Sequence, residues 1–442
     1  MDIRLVGIFL LILSKLTTII KLDFRLVEGE ADMAYIERAI THILKKRVQE
    51  SKCTLITGAR QAGKSTLVKN EFKNYNRVNF DDRLTRLQAK EEPKLFFLNN
   101  PCPLFIDEVQ KENSILEEVK MIVDESDKRG MFIMSGSQKL ELMKGMSESL
   151  AGRVSINELS GLSLREIHGV KYNRHFVPTN DYLESREKEI KPYDNLWEII
   201  HKGSYPELYD VERDWQEYYS SYVSTYLERD INELISADSI TFTKFLTAVA
   251  ARTGELLNYA NIASEVGVSE PTIKNWISIL ERTGIVFLLQ PYSASALNRA
   301  IKTPKLYFRD TGLACYLTRW LTADALKCSA VAGNIFETFM VSEILKSYIN
   351  EGKDYKFSIF YYRGKDKGSS GENEIDLIIE EDGILYPIEI KMSGNPKANM
   401  GATNPVLDKI KEKSRGMGVI LCLIDKKTYL RENLVALPIE YI

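Results

Sequence analysis

Short apolar runs alternate with amphipathic stretches over the first third of the chain. CTLITG (53–58), PLFIDE (103–108) and MFIMSGS (131–137) stay apolar almost to their last residues, as strands buried on both faces do. Stretches of helical period, such as 66–72 and 115–124, separate them, and the alternation predicts a parallel sheet wrapped by helices between Lys52 and about Leu164. From Tyr193 to Thr253 the pattern is mainly helical and rich in aromatics, and residues 254–290 read as a pair of short helices followed by a strand. Beyond Lys305 a helix at 333–347 and strands at 374–380, 384–392 and 419–424 predict a second α/β domain. The expected division is an extension at 1–32, a first α/β domain at 33–192, a helical region at 193–300 and the second α/β domain at 301–442.

The extension carries an apolar run from Leu5 to Leu13 that Lys15 interrupts. A spanning helix needs about 20 apolar residues, and no small-residue cleavage site follows, so no stable membrane association is expected. Met33 opens an amphipathic stretch just before the first core strand and is the preferred start, with residues 1–32 read as non-native.

At 442 residues the chain has room for several domains, and its 44% hydrophobic and 27% charged residues are ordinary for a globular protein. A formal net charge of -3 gives no general attraction to polyanions, so contact with nucleic acid would need a local patch such as Arg299, Lys302 and Lys305. Cys53, Cys102, Cys315, Cys328 and Cys422 are scattered and lack CxxC spacing, which suits reduced thiols in a cytoplasm.

The sharpest motif is Gly58-Ala59-Arg60-Gln61-Ala62-Gly63-Lys64-Ser65, with Thr66 leading into a helix. It matches G-x-x-x-x-G-K-[ST] at every position and lies between a strand and a helix, where loop amides and the positive helix end converge on one point. Phosphate is what such a point binds, so ATP with Mg²⁺ is the expected ligand. Lys64 would reach the β and γ phosphates, and the Ser65 hydroxyl would hold the ion. Asp107 and Glu108 close an apolar strand; Asp107 suits the ion through water, and Glu108 suits orientation or deprotonation of the attacking water. Ser135 and Ser137, at the end of a third strand, are candidate sensors of the γ phosphate. Arg153 is a candidate charge for the transferring phosphoryl group, in cis or toward a neighbouring subunit of a homo-oligomer.

Residues 256–266 and 270–282 have helix-turn-helix grammar, with Gly267 in the turn, Ser269 as N-cap, Pro271 in the first turn and Gly284 past the end. Thr272, Lys274 and Asn275 could face a DNA groove, although Glu270 and Glu281 cancel the positive field of that helix. Further on, Asp382-Gly383 signals a two-residue hairpin turn. In that register Asp376 faces Glu389 and Glu374 faces Lys391, all on one side of the sheet. Opposed carboxylates repel, so a divalent cation is expected at Asp376 and Glu389, with Glu337 from the 333–347 helix as a further ligand and Lys391 as the catalytic lysine. The D-x12-E-x-K spacing resembles the PD-(D/E)xK nuclease motif; the competing reading is a Glu374–Lys391 ion pair on an inert hairpin.

ITGARQAGKSTL, FIDEVQK, SGSQ, LAGRV, GSYPE, YLERDI and YFRDTGLACYL follow one another in this order. Together they resemble the prokaryotic AAA+-type ATPases that carry a C-terminal domain of unknown function, over nearly everything from Met33 onward. The resemblance implies an AAA+-type ATPase core, a winged-helix segment and a restriction-nuclease-like C-terminal fold, active or degenerate.

Overall fold

The computed structural model describes residues 35–136, 150–210, 213–231, 237–293, 303–365 and 372–442. The extension, Met33, Ser137, Arg299 and Lys302 lie outside them. Among the described residues, no helix is long and apolar enough to cross a membrane.

Five parallel strands form the first sheet: β1 (Cys53–Thr57), β2 (Asn76–Asn79), β3 (Leu104–Asp107), β4 (Phe132–Gly136) and β5 (Val154–Glu158), in the order β2-β3-β4-β1-β5. The apolar runs become strands because both faces are covered. Leu55, Ile106 and Met134 join one buried cluster with Ile115 and Val119 of the 115–124 helix. Their neighbours Ile56, Phe105 and Ile133 join another, with Leu44 of helix α1 (Thr41–Glu50) and Leu67 of α2 (Lys64–Glu71). Helix α1 starts at Thr41 rather than near Met33. Just before it, the Ala39 amide and the Arg38 side chain both bond Glu166, at 2.7 and 3.0 Å.

Past Leu162 the chain turns helical, including α3 (Trp215–Tyr222), which runs into a π-helical stretch, Val223–Ile231. Two further helices, α4 (Tyr259–Val266) and α5 (Glu270–Arg282), are joined by a turn in which Gly267 has φ 85° and the Ser269 hydroxyl accepts from the Thr272 amide. Three short strands follow the pair in space: β6 (Glu255–Leu256), β7 (Val286–Leu289) and β8 (Lys305–Phe308), in the order β6-β8-β7.

The last sheet holds seven strands. β9 (Ile359–Lys365), β10 (Glu372–Glu381) and β11 (Ile384–Lys391) are antiparallel neighbours, and β12 (Ser414–Arg415) pairs with β11. β13 (Gly418–Cys422) runs parallel to β11, and β14 (Thr428–Arg431) and β15 (Leu434–Pro438) complete the sheet. The β10–β11 hairpin turns at Asp382-Gly383, φ 50° and 79°, and pairs Leu377 with Ile388, which is the register expected from the turn.

No gap in the core falls at residue 300. One buried apolar cluster runs from Leu164 through Tyr218, Trp276 and Phe308 to Ile344, Ile388 and Ile442. Polar bonds cross the same seam: Lys346 of helix α6 (Ala332–Asn350) donates to Leu162 O at 2.8 Å, and its neighbour Glu343 accepts from the Leu164 amide at 2.7 Å. The apolar face of the region at 301–442 is therefore shared with the region before it.

Candidate functional site

The phosphate loop leaves the carboxyl end of β1, the position where open parallel sheets bind ligands. Gly58 has φ 146°, and a Cβ there would lie 2.1 Å from Leu159 O, so only glycine fits. Gln61 and Gly63 also have positive φ, 63° and 91°. Lys64 is buried, and its ammonium donates to Gly58 O at 3.1 Å and Ala59 O at 2.9 Å. Burial lowers its pKa to about 8, against the pull of Glu108 and Asp107. Ser65 is half-buried at the start of α2, and Thr66 beyond it is exposed.

Asp107 is buried at the end of β3, and its carboxylate accepts from the Ser135 hydroxyl. The same hydroxyl accepts from the Glu108 amide at 3.4 Å. Ser135 thus braces the acidic strand end. Glu108 adopts φ 54°, a left-handed backbone rare for a non-glycine residue and common at active sites, and its carboxylate accepts from Gln110. Arg153 lies elsewhere. Its carbonyl accepts from the Cys53 amide at the opposite end of β1 from the loop, and its guanidinium pairs with Asp124 at 2.5 Å. The structure does not bring it to the phosphate loop of its own chain.

The C-terminal acids converge, but in two pairs. Lys391 lies 2.8 Å from Asp376 and 2.9 Å from Glu389. Lys305 of β8 lies 3.3 Å from Glu337 and 2.7 Å from Glu374, and Tyr307 OH donates to Glu337 at 2.6 Å. Glu374 therefore pairs with Lys305, not Lys391, and Lys305, only 4% exposed, is no part of a surface patch. Among the described residues, no three His, Cys, Asp or Glu side chains form a group that could hold a metal ion. Two ammoniums sit among Glu337, Asp376 and Glu389 and divide them. Burial, then Asp376, raises Glu389 to about 8, and the same two causes raise Glu337. Lys391 is held above its usual value by Asp376 and Glu389 despite the opposing effect of burial.

Residues 50–168 match the family model described as an AAA domain. With the strand-loop-helix geometry and the acidic strand end beside it, that match decides the class. Residues 50–168 form an AAA-type P-loop ATPase domain. Residues 193–324 and 332–442 match two domains of unknown function, DUF8612 and DUF4143. Uncharacterized proteins of Mycobacterium tuberculosis and Mycobacterium bovis are each 27% identical over 375 residues, covering 83% of this chain and 76% of theirs. Among solved structures, a Walker-type ATPase of Pyrococcus abyssi covers 63% of this chain and 94% of its own at 14% identity and TM-score 0.37. The ORC2 protein of Aeropyrum pernix, in its ADP form, covers 70% and 93% at 14% identity and TM-score 0.27. Both superpositions are too loose to bear on this fold.

The surroundings of the ATPase loop were not legible from the motif. Tyr218 OH donates to Gln61 Oε1 at 2.8 Å, the Arg60 guanidinium lies 5.7 Å from the Tyr226 ring centre, and Pro206 packs against Gly63. Gly284, just past α5, packs on Ala59. Asp310 ties this shell together, accepting from the Ser204 amide at 2.6 Å and from Tyr219 OH at 2.6 Å. GSYPE and RDTGL could have been paired only by knowing that their backbones meet.

Proposed function

We propose that the protein binds and hydrolyses ATP with Mg²⁺, and that its nucleotide cycle controls a nuclease-like C-terminal module that acts on DNA. The observation that carries the control is the seating of the phosphate loop. Ala59, Arg60, Gln61 and Gly63 each meet a residue of the helical region or of the turn after α5. A change of loop shape on nucleotide binding would therefore reach the helical region and the turn after α5 directly.

In the ATPase site, Lys64 would leave its carbonyls for the phosphates. Ser65 and Asp107 are hard oxygen donors of the kind Mg²⁺ takes, and Ser135 already orients Asp107. The ion would neutralise charge on the phosphoryl oxygens. Glu108 would orient the attacking water, and Arg153 could act only on a neighbouring copy in a homo-oligomer. The free thiols suit a cytoplasmic setting.

The α4–α5 pair with its three strands supports a winged-helix reading, with Asn275 exposed and Lys274 paired to Glu270 at 2.7 Å. The meeting of Asp376, Glu389 and Lys391 supports a PD-(D/E)xK-type site in which the two acids would hold Mg²⁺ or Mn²⁺. A second reading, ATP as a switch for an inactive nuclease-like binding module, is favoured by the engagement of Lys391 with both acids. Plasmid DNA incubated with full-length protein and Mn²⁺, with and without ATP, separates the two. Nicking that changes with ATP and disappears in Lys391→Ala supports the enzyme; no nicking under any condition leaves the switch.

A further inference from the structure

Arg38 stands behind the phosphate loop, 3% exposed, and spends its guanidinium on three segments. It donates to Ala62 O at 2.8 Å, to Ser160 O at 2.7 Å, to Gly161 O at 3.2 Å and to Glu166 at 3.0 Å. Glu166 is buried too and also accepts from the Ser163 amide at 2.7 Å. Although burial opposes it, Arg38 and the backbone donors hold that carboxyl below its usual range.

Two cations thus hold carbonyls of one loop, and their fates differ. Lys64 bonds Gly58 and Ala59, which are neutral, so an arriving phosphate draws it away. Arg38 is committed to Glu166 and has no such competitor. What it holds is the peptide between Ala62 and Gly63, flanked on one side by the positive φ of Gly63, 91°. A peptide so flanked is prone to rotate, and rotation would turn a carbonyl oxygen toward the phosphates where amide donors are needed.

We propose that Arg38 is a positioning residue of the ATPase: it fixes the Ala62 carbonyl, so that the loop keeps its binding shape once Lys64 lets go. It touches no substrate and acts through the loop backbone. The proposal requires nucleotide binding by the AAA domain and is independent of any activity of the C-terminal module.

The test measures ATP affinity, turnover at saturating ATP and melting temperature on the full chain. Arg38→Met should weaken ATP affinity by about tenfold or more while turnover at saturation falls far less, since the lost interaction serves binding. That variant also leaves Glu166 buried without its cation, so its melting temperature should drop. The double variant Arg38→Met/Glu166→Gln removes the stranded charge. It should regain most of the melting temperature and keep the weak affinity, whereas Arg38→Lys should recover affinity in part. A double variant that binds ATP as tightly as wild type would reduce Arg38 to a structural ion pair and overturn the proposal, as would unchanged affinity in Arg38→Met.

Discussion

At the phosphate loop the lysine is bonded to neutral carbonyls, while in the C-terminal cluster both lysines are bonded to carboxylates. Lys64 is desolvated and its charge is weakly compensated, so the loop is short of an anion. In the cluster, four carboxylates (Glu337, Glu374, Asp376 and Glu389) lie around two ammoniums (Lys305 and Lys391), with Arg363 opposite Glu374 in the β9–β10 register. That site is rich in acid, and burial, then Asp376, raises Glu389 to about 8. The lesson is that a lysine near acids is not one kind of site. What it is bonded to when empty tells which sign of ligand it awaits.

The largest effect should come from the anion-poor site. Lys64→Ala should abolish ATP binding in a fluorescence titration, while Glu108→Gln should bind normally and lose about 10²-fold or more in turnover. Equal turnover for Glu108→Gln and wild type would remove Glu108 from the mechanism.

On the acid-rich side, Lys305→Met takes the ammonium away from Glu337 and Glu374. Removing one partner of a buried pair costs about 3 kcal/mol or more, with the lower end expected because Glu374 is 39% exposed. Denaturant melts of the full chain read this directly. Wild-type stability in the variant would show that the acids do not need the ammonium and would blur the contrast between the sites.

The subtlest difference is in pH. Without nucleotide, the Lys64 pKa is depressed to about 8 from 10.5. Phosphate favours the ammonium, so above about pH 8 binding must draw in a proton. Affinity should then fall as pH rises, by up to about tenfold per unit. Calorimetry at pH 8.5 in two buffers of different ionisation enthalpy should detect that uptake; none would mean that Lys64 is already fully charged.

Much of this was legible because local rules were enough. The loop motif sits between strand and helix as its spacing requires, and the Asp382-Gly383 turn set a register that the structure keeps from Leu377 to Glu381. Contacts that depend on tertiary approach were not legible. The chain pattern could not show that Lys305 reaches Glu337 and Glu374, that Ser135 turns to Asp107, or that Arg153 sits just before β5, at the end of β1 opposite the loop. Arg38 was missed because an arginine ahead of a helix carries no motif, and its partners lie 24 and 128 positions away. The continuity of the core was hidden for a related reason: a change of periodicity marks a change of element, and a core is free to cross it.

That continuous core also sets the order in which the chain can fold. The strands of the ATPase sheet lie within about a hundred positions of one another, so that sheet can close early. Arg165, by contrast, bonds the carbonyl of Ile442, 277 positions on, and Tyr182 bonds that of Tyr441. At typical synthesis rates, the apolar surface around Leu164 and Tyr182 waits on the order of 15 to 50 s for its last partners. Contacts of such range make folding slow. During that interval a closed ATPase sheet carries an unfinished remainder with its apolar surface still uncovered.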